Sequence, residues 1–253
     1  MEVHHHSHHP KKWKEYISEF LMLFFAVFLG FMSEYYLEYR AERHKEHDYL
    51  VSMVEDLKAD TTEISMKASQ MDEMVTSGNK ITEIIYKTNW TEKDIDTIYL
   101  KSIYMVTRFV NLNFTSGTID QLKNAGGFRL IQNKSIVDKI TDYEKQKTAL
   151  KNQLDALMER WASVHRVQNS LLHLNVFKPN GQLGGIDYDR EMLNQIKALT
   201  GSDFLISNRN SFYEYSNYIN VSKGYVTFYK MMALTEKQKA TELITIIEKE
   251  LNH

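Results

Sequence analysis

Residues 15–39 read EYISEFLMLFFAVFLGFMSEYYLEY, the one strongly apolar stretch in a chain of 253 residues. Its uncharged centre, Phe20 to Ser33, is 14 residues long. As a helix that centre covers only about 21 Å, short of a hydrocarbon core of about 30 Å. Extended to run from Tyr16 to Tyr36 it covers about 31 Å and places Glu19 and Glu34 each within about a turn of an interface. Trp13 and Tyr16 then mark one interface and Tyr35, Tyr36 and Tyr39 the other, as aromatic belts do around a spanning helix. No small-x-small cleavage site follows the apolar core at Phe31-Met32-Ser33-Glu34. Residues 15–37 therefore read as an uncleaved transmembrane signal anchor, with the lipid bilayer as the first partner.

Orientation rests on charge arrangement. Lys11, Lys12 and Lys14 precede the span and Arg40, Arg43 and Lys45 follow it, so the count is balanced. The leading lysines form an undiluted cluster, and long domains translocate largely regardless of charge, so the short tail 1–14 is expected in the cytoplasm and residues 38–253 outside it.

The remaining composition excludes whole classes. The chain is 43% hydrophobic and 25% charged with a formal net charge of −2, which gives no basic footprint for nucleic acid. Two prolines and ten glycines are too few turn signals for an all-β or doubly wound α/β chain of this length, so an all-α fold is expected. The absence of cysteine removes disulfides, thiolate metal sites and thiol nucleophiles. No GxSxG, HExxH, GxxxxGK[ST] or dinucleotide fingerprint occurs, and a non-enzymatic protein is expected.

No Gly or Pro lies between Met32 and Ser77, so the spanning helix is expected to continue into a stalk at 38–90. Leu50, Val54, Leu57, Thr61, Ile64, Ala68, Met71, Val75, Gly78, Thr82 and Ile85 keep an alternating four-three spacing, the period of a supercoiled seam. Such a seam serves either an amphipathic helix packed on its own domain or an intermolecular coiled coil joining copies. A helical bundle is expected over 91–253. Thr91 and Asp94 have the spacing of a capping box, and the helix they open runs to about Asn111. A short helix covers Thr118–Lys123 and stops at Gly126-Gly127. Ser135 is placed to cap a long helix whose stripe includes Ile136, Tyr143, Leu157, Trp161 and Leu171. A turn or small hairpin is expected after Pro179. Two further helices are expected, Asn210–Leu234 with Phe212, Tyr215, Tyr218 and Phe228 on its buried stripe, and Thr235–Asn252.

Few residues suggest chemistry. His4, His5, His6, His8 and His9 supply imidazoles that suit zinc, nickel or copper, although a run of this kind fixes no geometry without a folded shell. His44, His47 and Asp48 share a helix face and read as a solvated charged surface. Glu19, a carboxylate inside the span, either snorkels to the lysine side or takes a pairing or proton-linked role.

The leader MEVHHHSHHPKKWKEYISEFLMLFFAVFLGFMSE and the stretch FTSGTIDQLKNAGGFRLIQNKSIVDKITDYE, Phe114 to Glu144, resemble an uncharacterised family of single-pass inner-membrane proteins of Bacteroidota with a histidine-rich leader. The resemblance implies an inner-membrane helical protein and carries no activity with it. In that context Asp60-Thr61-Thr62 and Asp96-Thr97-Ile98 look like the short O-glycosylation signal of exported proteins in such bacteria. The expected function is a membrane-anchored scaffold or accessory subunit acting as a homo-oligomer or within a larger membrane complex. The alternative is a metal- or proton-responsive sensor or transport-linked subunit that uses the histidine tail and Glu19.

Overall fold

The structure is a computed structural model that describes residues 13–107, 110–115, 117–124, 126–173, 204 and 208–252. Within them the chain is all-helical, with no strand. Helix α1 spans Trp13–Ile85, α2 Glu92–Thr107, α3 Gly117–Asn124, α4 Lys134–Leu171 and α5 Arg209–Leu251, with a 3-10 turn at Gly127–Leu130 between α3 and α4. The histidine tail and the turn expected after Pro179 lie outside the described residues.

Helix α1 has 73 residues and extends about 110 Å. Its first part is the one segment among the described residues apolar enough and long enough to cross a membrane, with a mean hydropathy of 1.8 and no residue of that window buried. Burial begins at Glu46 and Leu50 and continues to Ile85. From there on the four-three seam is filled within the chain. Leu57 is 1% exposed and Ile64 0%, because α5 packs along this face of α1. Gly78 shows how closely the two helices approach, since a Cβ there would lie 2.8 Å from Lys223 Cδ and 3.1 Å from Ile219 Cγ2.

Helix α5 runs antiparallel to both long neighbours. Lys58 bonds Glu248 at 2.7 Å while Lys230 bonds Asp72 at 2.5 Å, and Asn133 of α4 donates to Glu250 while Lys139 donates to Glu242. Two apolar clusters result. The one nearer the apolar part of α1 holds Leu50, Leu57, Tyr143, Ala240 and Leu243. The distal one holds Ile64, Leu150, Trp161, Phe212, Tyr229 and Ala233, with α2 packed against it through Ile98 and Tyr99.

The distal end is locked by Arg209. Its guanidinium donates to the carbonyls of Ile85, Lys87 and Thr88 at 3.0, 2.7 and 2.6 Å. This satisfies the carbonyls at the C-terminus of α1 and neutralises the negative end of its dipole. The guanidinium also lies 4.2 Å from the centre of the Trp90 ring.

Several local expectations change. The C-terminal region is one helix, not two. Thr235, where the second was expected to start, donates its hydroxyl to Met231 O at 3.1 Å one turn earlier, so it sits inside the helix and frees no end. The cap of α4 is Asn133, whose Oδ1 accepts the Ser135 N–H at 3.0 Å. Phe228, expected in the core, is 47% exposed. The capping box of α2 forms as expected, with Thr91 N–H donating to Asp94 Oδ2 at 3.0 Å and Asp94 N–H to Thr91 Oγ1 at 3.2 Å.

Candidate functional site

Between the two apolar clusters the three long helices each place an ionisable or polar group at the same level. On α1 the level lies between Leu57 and Ile64 and is occupied by Asp60, which is 1% exposed. On α4, between Tyr143 and Leu150, it is Lys147, whose side chain is 13% exposed. On α5, between Ala233 and Ala240, it is Glu236, 0% exposed. Each residue falls in a buried stripe because helical period brings it back to the inner face three or four positions from apolar neighbours.

Asp60 is well bonded. Its Oδ1 accepts the Thr115 N–H at 2.6 Å and its Oδ2 accepts the Tyr143 hydroxyl at 2.6 Å. Burial still pushes its carboxyl above the ordinary range, against the bonds from Thr115 and Tyr143 and the attraction of Lys147, which lower it. Tyr143 is driven upward by its own burial and by the carboxylate it donates to. Its ring meets Phe114 edge-on at 6.4 Å, and the Lys147 ammonium lies 5.3 Å from the Phe114 centre and 5.5 Å from that of Tyr143.

Glu236 is the anomaly. Both carboxyl oxygens are buried without a hydrogen-bond partner among the described residues. Burial pushes the group up to about 8, with Lys239 and Lys147 pulling down and Glu144 and Asp60 pushing up. At neutral pH Glu236 therefore holds its proton. Glu144 behaves oppositely: burial raises it, but Lys123 and Lys147 bring it below the ordinary range. The Lys147 ammonium sits 2.9 Å from Glu144 Oε1 at an angle too oblique for a hydrogen bond, so the contact is an ion pair.

The acidic residues of α1 also hold the 115–132 segment by its backbone. Besides Asp60 on Thr115, Asp56 Oδ2 accepts the Thr118 N–H at 3.1 Å, and Glu46 Oε1 accepts the Gln132 N–H at 2.6 Å. Asp56 thus satisfies a free amide in the first turn of α3, where a carboxylate is also favoured by the helix dipole. Arg43 pairs with Glu46 and donates to Leu130 O at 3.0 Å. Charged groups that accept such bonds when partly buried each contribute about 1.5 to 3 kcal/mol.

The residues expected to carry chemistry lie elsewhere. His4, His5, His6, His8 and His9 fall outside the described residues. Glu19 is exposed on the apolar part of α1. His44 Nε2 and His47 Nδ1 each lie 3.6 Å from a carboxylate oxygen of Asp48 on an exposed surface. Among the described residues no group of three or more His, Asp or Glu side chains has a metal-binding arrangement. Sequence reading missed the Asp60, Tyr143, Lys147 and Glu236 layer. The signal for it was a charge recurring inside an apolar stripe, Glu236 between Ala233 and Ala240 and Asp60 between Leu57 and Ile64. No protein-family model, curated protein or solved structure matches this chain.

Proposed function

We propose that this chain is a non-catalytic, single-pass scaffold or accessory subunit of a bacterial inner membrane, with its N-terminus in the cytoplasm and its helical domain in the periplasm. The observation that carries the reading is the continuity of α1, whose fully exposed apolar part runs without interruption into the helix that forms the core of the bundle. Such a helix has no lipid-independent means of hiding Phe20 to Phe31 among the described residues, and a bilayer covers a stretch of this length and composition. It also makes anchor and domain one rod, the arrangement suited to holding a partner at fixed height. Alkaline phosphatase fused after His253 should be active. An inactive fusion together with an active cytoplasmic reporter at the same position would reverse the orientation, and recovery of the full chain in the soluble fraction would refute the anchor.

The buried layer supports a second, proton-responsive reading. Its carriers are Glu236 and Asp60, which are enclosed in the bundle with their carboxyls raised above the ordinary range by burial.

A further inference from the structure

The outward face of α5 differs from that of α4 beside it. From Asn217 to Gln238 its exposed positions, which recur every seven residues, include no charged side chain. On α4 the exposed face at the same height carries Lys151, Asp155 and Glu159. Val221 is 52% exposed, Phe228 47%, Met231 56% and Leu234 42%. In heptad terms Val221, Phe228 and Thr235 take a, while Gly224, Met231 and Gln238 take d. The flanking g positions are Asn220, Thr227 and Leu234.

Gly224 is a second, independent observation. A glycine within a helix costs about 1 kcal/mol relative to alanine. Nothing among the described residues requires it, since a Cβ there would meet no atom of theirs within 4 Å. A gap on the outer surface one turn before the most exposed ring of α5 is what a close helix neighbour needs. In a parallel pair an a-position knob enters a hole made by the partner's residues four and one before it, at it, and three after it. For Phe228 those are Gly224, Thr227, Phe228 and Met231, so the missing side chain makes room for two rings in one layer.

We infer that this face of α5 docks on the same face of a second copy of the chain, forming a parallel two-fold seam. The occupant follows from three features. The heptad lattice is self-complementary and uncharged, so pairing brings no like charges together. Under the anchoring proposed above, all copies stand in one direction, which makes parallel α5 pairing the arrangement open to them and raises their effective concentration. The bilayer cannot cover the face, because Lys230 pairs with Asp72, which lies about 50 Å along α1 from Leu37.

The absence of cysteine makes a single introduced thiol diagnostic. In membranes carrying the full chain, oxidation should link Met231→Cys into a disulfide dimer, on the order of tenfold more than Asn152→Cys, which lies level with it on α4. In mild detergent the wild type should have twice the 29.8 kDa chain mass, and both Phe228→Glu and Met231→Lys should halve it with helical circular dichroism unchanged. Met231 is exposed at the d position, so its variant keeps the test valid if Phe228→Glu misfolds. Cross-linking at residue 231 no greater than at 152, or a wild type of single-chain mass, overturns the seam. So does a wild type associated only with a different protein, or a Phe228→Glu variant that lowers the thermal stability of a monomer, which would show the face covered by its own chain. The phosphatase fusion reads the anchor separately: a dimer linked at 231 in a chain without that topology supports the seam and removes only the anchoring.

Discussion

Replacing Glu236 with glutamine keeps the shape of the side chain and removes its proton equilibrium. In the folded protein the carboxyl is held at about 8, against an ordinary value of 4.5. Folded chains therefore keep a proton that unfolded chains release above pH 4.5. Because the folded value is raised, the contribution of this group to stability is complete below pH 4.5 and is lost as pH rises through 8. At about 1.4 kcal/mol per pH unit, the interval from 4.5 to 8 corresponds to about 5 kcal/mol as an upper figure. Water entry and local relaxation at a charged Glu236 reduce it, so about 3 kcal/mol is the working expectation. Chemical unfolding of the full chain in detergent, followed by circular dichroism at pH 5, 6.5 and 8, reads the difference. At pH 5 the folded side chains are both neutral and equally unpartnered, but unfolded chains already release most of the Glu236 proton, so the variant should exceed wild type there by only about 1 kcal/mol. At pH 8 the variant should be the more stable. Asp60 leaves a residual slope of the same sign in both proteins, since burial raises its carboxyl also. Parallel stability curves across this range would refute the conclusion that Glu236 is buried and protonated.

Arg209→Ala should cost about 2 to 3 kcal/mol in the same unfolding assay, because it removes a charged donor from three carbonyls at the end of α1; an effect within 0.5 kcal/mol of zero, roughly the scatter at ordinary surface sites, would mean those carbonyls are satisfied by solvent. Trp161→Ala should cost about 3 to 5 kcal/mol, as its side chain is 3% exposed within the distal cluster; wild-type stability would place that stripe outside the core.

What the sequence disclosed followed the range of the interaction. The capping box of Thr91 and Asp94 is written in four consecutive residues, and it forms. The seam of α1 is legible because period 3.5 identifies a buried face, yet the same spacing serves a helix of the same chain or of another. Only the antiparallel return of α5 decides that Leu57 and Ile64 are enclosed within the domain. Local signals fail where a competing bond is available. Thr235 was expected to open a helix, but its hydroxyl bonds the carbonyl of Met231 and the helix continues. Asn133 takes the capping role expected of Ser135 because its side chain reaches the amide two residues ahead. Aromatic density misleads on α5, where Phe212, Tyr215 and Tyr229 are buried but Tyr213, Tyr218 and Phe228 face outward. Rings in such number occupy more than one side of a helix, so composition alone cannot select the inner ones. The buried layer was missed for another reason. Asp60, Tyr143, Lys147 and Glu236 come from three helices, and although each falls within an apolar stripe, nothing local says that the three stripes meet at one level.

The placement of that layer also explains why the bundle has two apolar clusters instead of one. A leucine at position 236 would join Ala233 to Ala240 and make the core continuous, and replacing a buried unpaired carboxyl with an apolar group generally stabilises a fold. The chain instead interrupts its core where Asp60 binds both the 115–132 segment, through Thr115, and α4, through Tyr143. The cluster below this level lies nearer the exposed apolar part of α1 and is continuous with it through that helix, and the distal cluster above it is backed by the uncharged outward face of α5. Loss of the Glu236 proton adds negative charge beside Asp60 and Glu144 at the junction between them. Its electrostatic penalty therefore falls at the junction of the two clusters, while the apolar contacts within each cluster are left as they are.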